Sequence, residues 1–235
     1  MPIDGRAMKR LAVFLAALFL ACGHGRAAAA PNEATVLPIA ARAQAPESPA
    51  AGWCGETAIQ EALLHLGVWA PQRLINASGK PAHPDLYSPD IPVALSALGV
   101  RYGSYRGPRG FEAFARWVRE AIDQGDPVLA GVKILPTAHP QWGLDHFVLV
   151  VGHGSRGLLV NTTWGHSAWI GPKTSQGLSL ERAFYGLRLR REPGSPRLTV
   201  IAETSDAVEL RVHCANGERQ VTVDARALTR LHCAR

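Results

Sequence analysis

The residue with the most chemistry in it is Cys54. It lies in Gly52-Trp53-Cys54-Gly55-Glu56-Thr57-Ala58-Ile59-Gln60, a glycine-flanked thiol that opens an amphipathic run. A thiol at a helix N-terminus is easier to ionise, because free N–H groups and the helix dipole favour the thiolate. Downstream come Asp145-His146-Phe147 and then Asn161-Thr162-Thr163-Trp164-Gly165, in that chain order. A histidine can hold a thiolate, and an asparagine can orient the histidine. Together the three fit nucleophilic attack on a peptide or amide carbonyl.

These residues need elements to place them. Ile59, Ala62, Leu63 and Leu66 recur at helical spacing, Glu61 and His65 form a polar pair one turn apart, and Gly67 suits a C-cap. A helix from Cys54 to Leu66 follows, with the thiol at its start. Further helices are expected around Pro71 to Ala77, from Asp90 to Ala97, from Gly110 to Gln124, and briefly at Leu180 to Phe184. Strands are expected at Val100 to Tyr105, Pro127 to Leu135, Phe147 to Val151, Leu158 to Val160 and Gly186 to Arg190. Helices come first and strands cluster later, which argues for an α+β domain over residues 51–192. Past Pro193-Gly194-Ser195-Pro196 the pattern changes to strands around an Asn216-Gly217 turn, a small β-rich extension over residues 193–235.

The amino terminus reads as a secretory signal over residues 1–29. Basic Arg6, Lys9 and Arg10 precede an uncharged stretch from Leu11 to Ala21, and small residues follow at Ala27 to Ala30. That stretch is well short of the ~20 residues a membrane helix needs, so no stable membrane span is expected. Cleavage after Ala29 competes with a lipoprotein-type site at Phe19-Leu20-Ala21-Cys22, which would make Cys22 a lipid anchor. An exported destination follows, periplasmic or secreted. Residues 30–50, rich in Ala and Pro, read as a linker or N-terminal arm.

Removing residues 1–29 halves the net charge from +6 to +3, and no basic run stands out, so nucleic acid is not an expected partner. Three cysteines remain outside the signal. Cys214 and Cys233 share the β-rich tail, and pairing them leaves Cys54 free. His139, His146, His153 and His166 lack a paired-ligand spacing, so no metal or other cofactor is expected.

With Cys54, His146 and Asn161 in view, the chain resembles the papain-like cysteine peptidases. The nucleophile opens the first long helix, the histidine begins an apolar strand, and Asn161-Thr162-Thr163-Trp164-Gly165 is similar to the family's Asn-Ser-Trp-Gly with one extra residue. The Cys-Gly order and the short His-to-Asn spacing are more similar to secreted relatives of the bacteriocin-processing (double-glycine leader, C39-like) peptidases. There the third residue is usually aspartate, and Asn161 departs toward papain. The resemblance covers about residues 44–190. It implies a helical N-terminal part carrying the nucleophile and a C-terminal antiparallel sheet. It implies that Cys54 attacks a peptide or isopeptide carbonyl, His146 moves the proton and Asn161 orients the ring. The Cys54 backbone N–H and a glutamine, for which Gln44 is the upstream candidate, would hold the oxyanion. Trp164 would shield the histidine, and Trp53 would line the cleft. The expected partner is a peptide or protein substrate. Two alternatives stand beside this: a γ-glutamyl transpeptidase or glutathione hydrolase resembling phytochelatin synthase, and an inactive peptide-binding relative.

Overall fold

The computed structural model describes residues 34–44, 52–135, 137–138, 140–172 and 184–233. The signal segment, Cys22 and the helix expected at Leu180 to Phe184 lie outside those residues, except for Phe184 itself.

The apolar run at Phe147 to Val151 forms the middle of the molecule. It belongs to β5 (His146–Gly154), the longest strand of an antiparallel sheet. The sheet order is β3 (Tyr102–Ser104), β8 (Gly186–Leu189), β4 (Val128–Val132), β5, β6 (Gly157–Asn161) and β7 (Ser167–Ile170). Successive side chains of a strand point to opposite faces. Phe147, Leu149 and Val151 therefore enter one core with Ile59, Leu63, Ile91 and Leu95. Val148 and Val150 enter a second core with Phe114, Val118 and Ile122. Because both faces are covered, the run Phe147 to Val151 is apolar at every position rather than at every second one.

The first core is built by α1 (Cys54–His65), α2 (Gln72–Gly79) and α3 (Asp90–Ala97). The second is closed by α4 (Phe111–Asp123), whose Phe114, Val118 and Ile122 form one buried face. The result mixes helices and antiparallel strands, as the α+β reading expects.

Of the linker or arm expected over residues 30–50, residues 34–44 lie along the sheet: β1 (Thr35–Val36) pairs with the end of β5, opposite His153 and Gly152. The Leu37 N–H continues that contact to Val151 O at 2.7 Å. A two-residue strand has no periodicity to betray it. Helix α1 is buried at every residue, Glu61 and His65 included. A helix with one apolar stripe normally keeps its polar face in water. Here the Arg42 N–H meets Glu61, His65 Nε2 lies 2.9 Å from Gly125 O, and the extension packs on Leu64.

The extension is a three-stranded antiparallel sheet of β9 (Arg197–Glu203), β10 (Ala207–Cys214) and β11 (Gly217–Asp224). Its Leu198, Val208, Leu210 and Val212 pack on Leu64 of α1 and on Trp69. A further pairing joins β12 (Thr229–Arg230) to β2 (Val68–Trp69), directly after α1. The Cys214–Cys233 disulfide closes the tail over a sequence separation of 19. A loop of that length is worth about 3 kcal/mol in the chain-entropy treatment. Among the described residues Cys54 is the free cysteine.

Candidate active site

The site forms where the start of α1 meets the start of β5 and the turn after β6. Gly55 makes the approach tight. A Cβ there would lie 2.8 Å from Ile91 Cδ1 and 3.4 Å from the Phe147 ring, so the residue after Cys54 is tightly packed. Cys54 shares a buried core with Phe147, one residue past His146, and the Phe147 N–H acts on the sulfur electrostatically. Cys54 and His146 are both buried, 7% and 5% exposed.

Burial fixes the protonation of both. It pushes the Cys54 thiol up to about 12, with the charges of Glu56 and Asp85 adding and the Phe147 N–H partly offsetting. The readily ionised thiolate expected at a helix start is thus corrected: desolvation outweighs the helix dipole here. Burial also lowers the pKa of His146, against the opposing influence of Thr162 O and Asp145. In this state the pair is a neutral thiol and a neutral imidazole.

The imidazole has a defined tautomer. His146 Nε2 lies 3.0 Å from Thr162 O and 3.3 Å from Thr163 Oγ1. A carbonyl only accepts, so Nε2 carries the hydrogen and Nδ1 keeps the lone pair. The Trp164 ring stacks on His146, with centroids 4.7 Å apart and planes within 22°. Trp164 is 42% exposed, so it roofs the histidine instead of packing in a core. Trp53 is buried, and its indole N–H donates to Pro84 O at 3.0 Å, which ties the start of α1 to the 80–89 loop.

Asn161 stands elsewhere than expected. Its Oδ1 accepts from Ser167 Oγ at 2.7 Å, and its amide donates to Ile39 O at 3.2 Å and toward Glu61. The expected Asn161–His146 hydrogen bond is replaced by one from the ring to the next residue's main-chain carbonyl. The reason lies in strand register: Asn161 is still within β6, paired with Leu149 and Ser167, and the turn that reaches His146 starts after it. Thr163, at φ +67, makes that turn. A β-branched residue is strained in the left-handed region.

The same turn anchors Gln44. Its N–H donates to Thr163 O at 2.9 Å, and Gly165 N–H donates to Arg42 O at 3.0 Å. The Gln44 side chain lies against Gly52, two residues before Cys54: a Cβ there would sit 2.1 Å from Gln44 Nε2, and Gly52 has φ +75. Gln44 Oε1 is buried and finds no hydrogen-bond partner among the described residues. Thr162, Thr163 and Asp85 were not singled out from sequence. A main-chain carbonyl leaves no residue-type signature, so the contact from Thr162 had none to offer.

Behind the arm, Glu61 Oε1 accepts from the Arg42 N–H at 2.7 Å. Burial, only partly offset by Arg42 and Asn161, raises the Glu61 pKa to about 8. A carboxyl whose folded pKa is raised holds a proton that the unfolded chain has lost, so its stabilisation fades as pH rises toward 8. The lowered His65 and His146 and the Glu56 carboxyl, raised to about 6, titrate chiefly below 6.5. Between pH 6.5 and 8, stability should therefore fall by about 1–2 kcal/mol. Urea unfolding across that window checks it, and Glu61→Gln should remove most of the slope.

Among the described residues no group of three or more His, Cys, Asp or Glu is placed to hold a metal. No described helix is long and apolar enough to cross a membrane. No family model and no curated protein matches the sequence. The fold does match a solved structure described as a "putative C39-like peptidase from Bacillus anthracis". The match covers 68% of this chain and 99% of that one, with a TM-score of 0.50 and 11% identity. The chain thus shares the fold of that structure, and about a third of its length lies outside the match.

Proposed function

We propose that this chain is a thiol-dependent hydrolase of peptide or isopeptide bonds, with Cys54 as nucleophile and His146 as its acid–base partner. One observation carries the reading. The thiol at the first residue of α1 packs in one core with Phe147, the residue after His146, and the contact of the His146 ring with Thr162 O leaves Nδ1 free to take a proton.

Neutral partners imply general-base catalysis in place of a standing ion pair. The sulfur attacks the carbonyl carbon while its proton passes to His146 Nδ1. The carbonyl electrons move onto oxygen, where the Cys54 N–H and Gln44 Nε2 would receive them. The C–N bond then breaks as Nδ1 returns the proton to the leaving amine, leaving a thioester on Cys54. Water, losing a proton to Nδ1, attacks the thioester and restores the thiol. Thr162 O steadies the imidazolium that forms in both halves, and the Trp164 ring keeps water from that bond. Asn161 acts at a remove, through Ser167, Ile39 and Glu61. The disulfide supports an oxidising, exported setting.

A peptide p-nitrophenyl ester tests the reading. A burst of one nitrophenolate per chain, with the acyl mass on the Cys54 peptide, is the expected result. Turnover that survives in Cys54→Ala would sink it. The inactive, peptide-binding alternative draws on the high pKa of the buried thiol. It predicts no burst and no acyl mass.

A further inference from the structure

Two carboxylates stand beside the nucleophile, and no lysine or arginine pairs with either among the described residues. Glu56, in the first turn of α1, is fully buried. Its Oε1 accepts from Asn76 Nδ2 at 2.7 Å and from the Leu86 N–H at 3.0 Å. Its Oε2 is buried with no hydrogen-bond partner. Asp85 is fixed by its neighbours. Pro84 O accepts from the Trp53 indole at 3.0 Å and from the Asn76 amide at 2.9 Å, while the Leu86 N–H is the one bound to Glu56.

Trp53 and Glu56 flank Cys54 in the chain, so these bonds hold Asp85 against the turn that carries the thiol. Its half-buried carboxylate acts electrostatically on both Glu56 and the Cys54 sulfur. His83, on the same loop, lies 3.9 Å from Asp90, and its ring covers one face of Tyr87 at 3.7 Å. Tyr87 is 41% exposed, which leaves aromatic surface on the loop that carries the carboxylate. A carboxylate beside an aromatic face is the pairing that recognises an ammonium or guanidinium group.

We propose that Asp85, with the Glu56 carboxylate and its unbonded Oε2 behind it, is the specificity residue of the site and receives a cationic group of the peptide next to the scissile bond. This rests on the hydrolase reading above and adds the class of substrate. The bound cation also offsets the negative charge that holds the thiol proton, which couples substrate recognition to activation of Cys54.

The test has three readouts on the full chain. With fluorogenic peptides in which lysine or acetyl-lysine is stepped through the positions flanking the cut, one position should prefer lysine by about tenfold or more. Asp85→Asn should reduce that preference to below about twofold. The same variant should alkylate faster with iodoacetamide at pH 8, by about threefold, because one repelling charge is gone. Loss of packing alone would not produce those two changes in opposite directions. A random hexapeptide pool retained on Cys54→Ala protein gives the third readout, independent of chemistry. Retention of basic peptides that Asp85→Asn abolishes supports the inference even where no peptide is cut, in which case only the hydrolase reading falls. Cleavage without a cationic preference, or a preference unchanged in Asp85→Asn, overturns the inference and leaves the hydrolase reading standing.

Discussion

Replacing His146 with alanine is expected to lower kcat/KM by about 10²–10⁴-fold, the range for a positioned acid–base group. Replacing Cys54 with alanine should abolish turnover. Asn161→Ala should behave differently, and this is the sharper half of the prediction. The imidazole N–H is held by Thr162 O, and the Asn161 amide faces Ile39 O and Ser167. Removing that amide therefore leaves the ring's partner in place. It leaves the half-buried Ile39 O without its donor, a stability cost of about 1–3 kcal/mol. Turnover per folded molecule should stay within about tenfold of the parent. Steady-state kinetics paired with urea unfolding separates the two effects. A thousandfold loss of kcat in a fully folded Asn161→Ala would restore asparagine as the orienting group.

The second large effect is expected one residue before His146. Asp145 Oδ2 lies 2.9 Å from Lys133 Nζ, with side chains only 3% and 2% exposed. Asp145 also accepts from the N–H groups of Ile134 at 2.7 Å and Leu135 at 3.1 Å. Removing one partner of a buried pair leaves the other charge uncompensated, at a cost of about 3–5 kcal/mol. Asp145→Ala should lower Tm by roughly 10 °C and cut activity as well, since the stretch it pins leads directly into the histidine. Substituting both partners, Lys133→Met with Asp145→Leu, should recover much of the stability. Burial alone would raise the Asp145 pKa, but the two N–H groups and Lys133 overcome it and the net shift is downward. Its contribution is thus complete above the ordinary aspartate range and is lost as pH falls through the lowered value. Thermal melts taken downward from pH 5 would show that loss, and Asp145→Asn would lack it.

What could be read in the sequence was what depends on neighbours in the chain. Cys54 opens a helix because periodic apolar residues follow it, and His146 opens a strand because Phe147 to Val151 is apolar throughout. The tail disulfide followed from cysteine spacing and is present. What escaped depends on contacts made across the fold. The β6 strand runs through Asn161, which hands the histidine contact to a main-chain carbonyl that any residue would supply. Residues 34–44 carry no periodicity, and their place is set by β5 and the Thr163 turn. The polar pair of α1 is buried by distant parts of the chain, Glu61 against the Arg42 N–H and His65 against Gly125 O. The thiol's protonation was misjudged for a related reason: a helix start can be seen in a sequence, whereas the depth at which it is buried cannot.

Thr163 has a consequence for how this protein can change. Its backbone sits at φ +67, where glycine is at ease and a β-branched residue is not. Thr163→Gly would relieve strain of about 1 kcal/mol, yet it would also loosen the turn in the unfolded chain and take the hydroxyl away from His146. Screening variants for thermal tolerance and screening them for turnover would therefore pull this position in opposite directions. A library ranked on one property would discard the residue that the other retains.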